Sequence, residues 1–168
     1  MSLSMFRASV PVCLRMLHNL EGILEKGAAY CTEKGVEETI LVNARLFPDM
    51  FPLSRQVQIA CDIAKRGAQR LAGLTPDAQE DTETTFAELI DRVRGVISFL
   101  GTVKPEQIDG TEQKAITFKL RGEDVTFDGE TFLLSFVLPN VFFHITTAYA
   151  ILRHNGVVLG KRDYLGQP

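Results

Sequence analysis

Four stretches of the chain repeat apolar or small residues at alternating spacings of three and four. In the first, Phe6, Val10, Cys13, Leu17, Leu20, Leu24, Gly27 and Cys31 follow a 4-3-4-3-4-3-4 rhythm. That is the seam of a helix packed in a bundle. Ser9 is placed to cap this helix and Pro11 to fall in its first turn, so Phe6 is expected to precede it. Gly35 supplies the stop. In the second stretch Leu53, Val57, Ala60, Ala64, Ala68 and Leu71 recur behind Pro52, a residue suited to a first helical position. Its small residues, with Gly67, allow a neighbouring helix to come close. The third carries Phe86, Ile90, Val93, Ile97 and Leu100 behind a T-x-x-E capping box, Thr85 and Glu88, and stops at Gly101. The fourth opens at Pro139 and sets Val141, Ile145, Ala148 and Leu152 on its seam. Phe142, Phe143, Tyr149 and Ile151 spread apolar surface over more than one face, which predicts the most buried helix.

The segments between them read differently. Glu37 to Leu46 is a connection with at most one extended or helical turn. Phe47-Pro48 and Phe51-Pro52 make a stiff, non-helical elbow, because a residue before proline avoids the helical region. Thr75 to Glu83 is a polar, acidic loop. Ile116, Phe118 and Leu120 alternate with polar residues, and Val125 and Phe127 alternate again beyond Arg121-Gly122, which predicts a β-hairpin. A lone hairpin is unstable, so it is expected to lie on the bundle or on a partner. The residues after Gly156 read as a tail. The expected fold class is all-α: a four-helix bundle with a short β-hairpin inserted before the last helix, in one domain over residues 1–168. Met1 to Ser4, ahead of a second methionine, read as an expression remnant outside the fold.

Composition narrows the function classes. The chain has 168 residues, 45% of them apolar and 23% charged, with a net charge of −3. It has no basic surface to recommend nucleic acid as a partner. No run is read as long and apolar enough for a membrane span, and no leader is read at the start, so the expected location is cytoplasmic. Three cysteines without a CxxC spacing fit a reducing compartment. Cys13 and Cys61 fall on seams and are expected to be buried and inert. Cys31, at a helix end, is expected to be more accessible, but it has no basic sequence neighbour to activate it.

Two stretches carry a family resemblance. One runs from Arg45-Leu-Phe-Pro-Asp-Met-Phe-Pro through Gln56 and Asp62 to Arg70-Leu-Ala-Gly73. The other is Pro139-Asn-Val-Phe-Phe-His-Ile-Thr-Thr-Ala-Tyr-Ala-Ile-Leu-Arg-His-Asn-Gly156, followed by Leu159-Gly-Lys-Arg-Asp163. Over nearly the whole chain the sequence resembles an uncharacterised bacterial and fungal family in the DinB/YfiT-like superfamily of four-helix bundles. The resemblance implies the bundle fold. The wider superfamily includes metal-dependent transferases and isomerases that use low-molecular-weight thiols. Its divalent metal is held by three histidines, two of them four apart on one helix. This chain has three histidines, His18, His144 and His154. His144 and His154 are separated by about 15 Å of helical rise and roughly 80° of rotation. Alanine stands four after His144 and four before His154. No histidine-ligated metal is therefore expected; a rebuilt site would centre on His144 with Asp49 or Asp62.

The candidate pocket lies between the second and fourth helices, near His144, Tyr149, Asp49, Gln56 and Arg153. His144 reads either as a core histidine bonded to a carbonyl or an acid, or as a proton-transfer residue in a cavity. His154 suits the negative end of a helix dipole, and His18 a surface. Asp49 reads as a cap for the second helix, with a sharper alternative in which Asp49 or Asp62 meets Arg153 or His144. No Gly-rich phosphate loop, G-x-S-x-G or H-E-x-x-H is present, and no cofactor is expected. Three functions follow. The first is a small-molecule-binding bundle without a histidine-ligated metal. The second is a non-enzymatic homodimer joined through the bundle face and the hairpin. The third is a metal-dependent thiol transferase.

Overall fold

In the computed structural model, residues 3–166 are described, and they form a four-helix bundle with one two-stranded hairpin. The bundle helices are α1 (Met5–Lys34), α3 (Leu53–Leu71), α4 (Phe86–Thr102) and α7 (Leu138–His154). Short helices α2 (Glu38–Val42) and α5 (Pro105–Ile108) follow α1 and α4. The hairpin pairs β1 (Ile116–Leu120) with β2 (Glu123–Phe127), antiparallel, with Leu120 opposite Glu123. Its two turn residues, Arg121 and Gly122, both take positive φ, 53° and 91°, as a type I′ turn requires. A single turn, α6 (Gly129–Thr131), and a π-helical segment (Phe132–Val137) lead into α7, and α8 (Lys161–Leu165) closes the chain. Cys13, Leu17, Leu20, Leu24, Val57, Cys61, Phe86, Val93, Val141, Ile145 and Leu152 meet in one core.

Several boundaries depart from the sequence expectation, each for a local reason. Helix α1 starts at Met5, not after Phe6, because the Ser4 side chain accepts the Arg7 N–H at 3.3 Å. Ser4 therefore caps the helix. Ser9 lies inside it, and its hydroxyl donates back to the Met5 carbonyl at 2.7 Å. Asp49 does not cap α3: the cap position is Pro52, with no side-chain hydrogen bond. Helix α4 continues through Gly101 to Thr102. The capping box at Thr85 and Glu88 is present in both directions. The seam of α4 is also turned from the expected one, with Leu89 and Val96 buried and Ile97 only partly so.

The last helix is the largest difference. The apolar run before Pro139 is helical rather than separate, so Gly129–His154 forms 26 continuous residues. Pro139 lacks an N–H and would crowd the carbonyl one turn back. The π segment meets that constraint by widening the turn, with the Leu138 N–H donating to the Leu133 carbonyl, five residues back. The joined helix is long and apolar enough to cross a membrane by length and composition, contrary to the sequence expectation. Here it packs on α1 and α3, but it is not the most buried helix as expected: Leu134 and Phe143 face outward, and α3 has the larger buried share.

The hairpin lies on the bundle. Phe118 and Phe127 pack against Phe132 and Phe136 of the π segment in edge-on and tilted contacts, with Phe118 and Phe136 centroids 5.1 Å apart. Its apolar face is thus covered within the chain. The tail is ordered as α8 against α1. Asn19 Nδ2 donates to the Tyr164 carbonyl at 2.8 Å and Lys26 pairs with Asp163 at 2.7 Å.

The acidic loop is pinned by a residue that the seam reading passed over. Arg92 on α4 has a side chain only 1% exposed. It pairs with Asp62 of α3 at 2.8 Å, and with Asp81 at 3.0 Å and Glu83 at 2.8 Å in the loop. Three carboxylates around one buried guanidinium offset its desolvation, and removing the cation strands them. Replacement of Arg92 by alanine is expected to lower unfolding free energy by about 3–5 kcal/mol in urea titrations. The same change at exposed Arg94, which pairs with Glu21 and Glu25, should leave the midpoint nearly unchanged.

Candidate functional site

Where α3 and α7 cross near the elbow, two buried polar side chains meet. Gln56 and His144 are 88 positions apart in sequence and form a 2.7 Å hydrogen bond between Gln56 Oε1 and His144 Nδ1. Gln56 Nε2 in turn donates to the Phe51 carbonyl at 3.1 Å. That second bond orients the amide, because a carbonyl only accepts. Gln56 therefore presents its oxygen to the imidazole, and Nδ1 carries the proton. The lone pair is left on Nε2, which has no hydrogen-bond partner among the described residues. It is not sealed either: among the described residues the fully buried side-chain polar atoms without partners are Gln69 Oε1 and Arg92 Nε.

The elements explain the meeting. The elbow ends at Pro52, so α3 begins immediately beside the Phe51 carbonyl, and Gln56 lies one turn in. On α7, His144 precedes Ile145 and follows the exposed Phe143, so it sits at the margin of the buried face. The Phe143 ring stands edge-on to the imidazole, centroids 5.2 Å apart. Phe143 and Phe51 are 57% and 54% exposed. The Arg55 guanidinium lies 6.0 Å from the Phe51 ring centre and pairs with Asp81.

Burial pushes the His144 pKa down, and the Arg55 charge adds to the effect, bringing it to about 4 from an ordinary 6.5. The imidazole is therefore neutral at physiological pH, a hydrogen-bond acceptor and base at Nε2.

The structure divides the remaining candidates. Tyr149 lies on another face of α7 and meets Tyr164 of α8, centroids 6.3 Å apart. Asp49 and Arg153 are exposed, and neither forms an ion pair among the described residues. Asp62 meets neither His144 nor Arg153; Arg92 and Arg66 take its two oxygens, at 2.8 and 3.0 Å. Cys31 is buried rather than accessible. Burial raises the thiols of Cys13 and Cys61 to about 12, which leaves them protonated. Sequence reasoning set Phe143 beside His144 but missed Arg55, whose charge acts on the imidazole, and the Phe51 carbonyl that orients Gln56. The only sequence signal was an aromatic on each of the two quoted motifs, next to the polar residues.

The residues do not fit the three-histidine metal centre of the wider superfamily. His144 Nδ1 is committed to Gln56, His18 faces Glu21 at 3.6 Å on α1, and His154 is exposed at the far end of α7. One turn from His144 stands buried Ala148. Among the described residues no group of three or more His, Cys, Asp or Glu side chains converges.

The profile of DUF1993, a domain of unknown function, matches residues 5–165. The chain belongs to this family. A solved structure titled as a DinB family member protein, from Shewanella denitrificans, is 41% identical and superposes with a TM-score of 0.86. The match covers 97% of this chain and 92% of that one. No functionally curated protein matches. This DUF1993 protein thus has a DinB-like fold in which Gln56 and His144 stand as a paired polar feature on the α3–α7 seam.

The His144 pKa has a consequence for stability. Above pH 6.5 the imidazole is neutral in both folded and unfolded chains, and its contribution is complete. As pH falls below 6.5 the unfolded chain takes up a proton that the folded chain refuses until about pH 4. Stability is lost across that window, by about 3 kcal/mol at 1.36 kcal/mol per unit. Urea titrations at pH 4 to 7 should show a shallower slope in His144→Gln than in the native protein, with carboxylates such as Asp77 and Glu88 supplying what remains toward pH 4.

Proposed function

We infer that this protein binds a small, uncharged molecule carrying an O–H, N–H or S–H donor, and that His144 Nε2 accepts that donor's hydrogen. The observation that carries the reading is the fixed tautomer: Gln56 Oε1 accepts from the Nδ1 N–H and leaves a neutral Nε2 lone pair without a partner among the described residues, next to the exposed ring of Phe143. A buried histidine needing only internal satisfaction has no use for an open acceptor. Here one nitrogen is anchored by a side chain that is itself anchored, which is how a binding group is oriented. The rings of Phe51 and Phe143 supply apolar contact for the body of the ligand, and Arg55 favours partial negative charge on its donor atom. Binding through a histidine-ligated metal finds no ligand set among the described residues.

A second reading, a homodimer, has its own observation. Phe47, Phe51 and Phe143 are all more than half exposed, and apolar surface of this kind serves protein contacts. The hairpin no longer argues for it, because Phe132 and Phe136 already cover Phe118 and Phe127.

Phenol and anisole separate the readings, because they share a ring and differ in the hydroxyl donor. Phenol is expected to shift the His144 and Phe143 signals saturably in NMR titrations, and anisole to bind at least about tenfold more weakly. His144→Ala should abolish the difference. Equal binding of the two compounds, or none of either, together with a dimer mass by light scattering that Phe143→Glu converts to monomer, would favour the second reading.

A further inference from the structure

At the other end of the α3–α7 seam a separate cavity of about 180 Å³ opens between α3, β1 and the π segment. One wall is basic, with Arg66 and Arg70 on α3 and Lys119 on β1; the other is aromatic, with Phe118, Phe132 and Phe136. The charges do not balance. Asp62 is the one carboxylate lining the cavity, and it already serves both Arg66 and the buried Arg92. Lys119 reaches Asp124 at 3.3 Å, outside the lining. Arg70 has no ion-pair partner among the described residues. Its guanidinium lies 4.9 Å from the Phe118 ring centre, stacked and oriented but not neutralised. In a chain of net charge −3, an unpaired arginine beside a second arginine marks a local excess of positive charge. Burial and the neighbouring Arg66 both weaken the hold of Arg70 on its proton, the strain that an incoming anion would relieve.

The aromatic wall is built by the least common element of the fold. Phe132 and Phe136 both belong to the π segment, and their rings stack at 5.7 Å. Single π turns inside α-helices occur frequently at functional sites. This one brings two rings to the cavity that faces the unpaired cation.

We propose that this cavity binds a single-ring aromatic carboxylate, its carboxylate on the Arg70 guanidinium and its ring against Phe118 and Phe136. An arginine fork matches a carboxylate in bidentate geometry, which an ammonium group does not. The aromatic wall favours a planar ring in edge or offset contact. The cavity is smaller than the usual range for drug-sized ligands, about 300–1,000 Å³, which limits the occupant to one ring. The site is distinct from the His144 feature, and neither proposal depends on the other.

Benzoate is the probe, with benzamide and acetate as the two partial mimics. Benzamide keeps the ring and loses the charge; acetate keeps the charge and loses the ring. In NMR titrations of the intact protein, benzoate is expected to bind saturably and to shift the Arg70 side-chain N–H and the Phe118 and Phe136 signals. Benzamide and acetate should each bind at least about tenfold more weakly. Arg70→Gln should weaken benzoate by a similar factor with an unchanged circular dichroism spectrum, and His144→Ala should leave it unaltered. Equal binding of benzamide would remove the carboxylate role, and equal binding of acetate the aromatic one. Absence of saturable benzoate binding would overturn the proposal, as would full affinity in Arg70→Gln. Should Arg70→Gln fail to fold, the three-ligand comparison on the native protein decides alone.

Discussion

The close approach of α3 to α7 is the constraint on which the rest of this bundle depends. Ala60, Ala64 and Gly67 face the partner helix from α3, and Val141, Ile145 and Ala148 face it from α7, all of the apolar ones at most 1% exposed. At one end the fit is so tight that a Cβ on Gly67 would come within 2.9 Å of the Val137 methyls. A seam of small residues trades side-chain volume for backbone proximity, and interiors packed to crystal density tolerate little change at such a place. That proximity lets a glutamine on one helix reach a histidine on the other. It also presses the π segment and its phenylalanines against the arginine-bearing end of α3.

The electrostatics are arranged around the same pair of helices. Arg92 gathers Asp62, Asp81 and Glu83, and so ties the acidic loop to α3 and α4. Asp81 is shared, since its other oxygen pairs with Arg55. Arg55 is the charge that joins burial in holding the His144 imidazole neutral. A chain of contacts therefore runs from a buried guanidinium on α4, through one loop carboxylate, to the environment of the histidine. At the opposite end Asp62 is shared in the same manner between Arg92 and Arg66, and Arg70 has no counterion among the described residues.

The bundle was legible because its helices obey a three-four rhythm that no other packing satisfies, and because Thr85, Glu88 and Gly35 end helices by local hydrogen bonds. The hairpin was legible for the same kind of reason, a change of period around a turn dipeptide. What rhythm could not reveal was the meaning of polar residues within it. Arg92 lies three after Leu89 and four before Val96, on the buried face, but only the folded acidic loop makes a buried arginine tolerable there. Gln56 and His144 were both singled out, yet their pairing depends on the crossing of two helices 88 positions apart in sequence. Asp49 and Arg153, chosen for their chemistry alone, point to solvent. Pro139 suggested a helix start by its usual preference; the fold instead absorbed it by widening one turn, an outcome set by the apolar residues ahead of it.

The orientation of the His144 imidazole is the claim that matters most, since the proposed function rests on which nitrogen bears the proton. Long-range proton–nitrogen correlation NMR at neutral pH reports it directly. The account predicts a neutral imidazole protonated at Nδ1, with a bare Nε2 signal, in the native protein. A proton on Nε2, or a fast-exchanging average of the two tautomers, would contradict it.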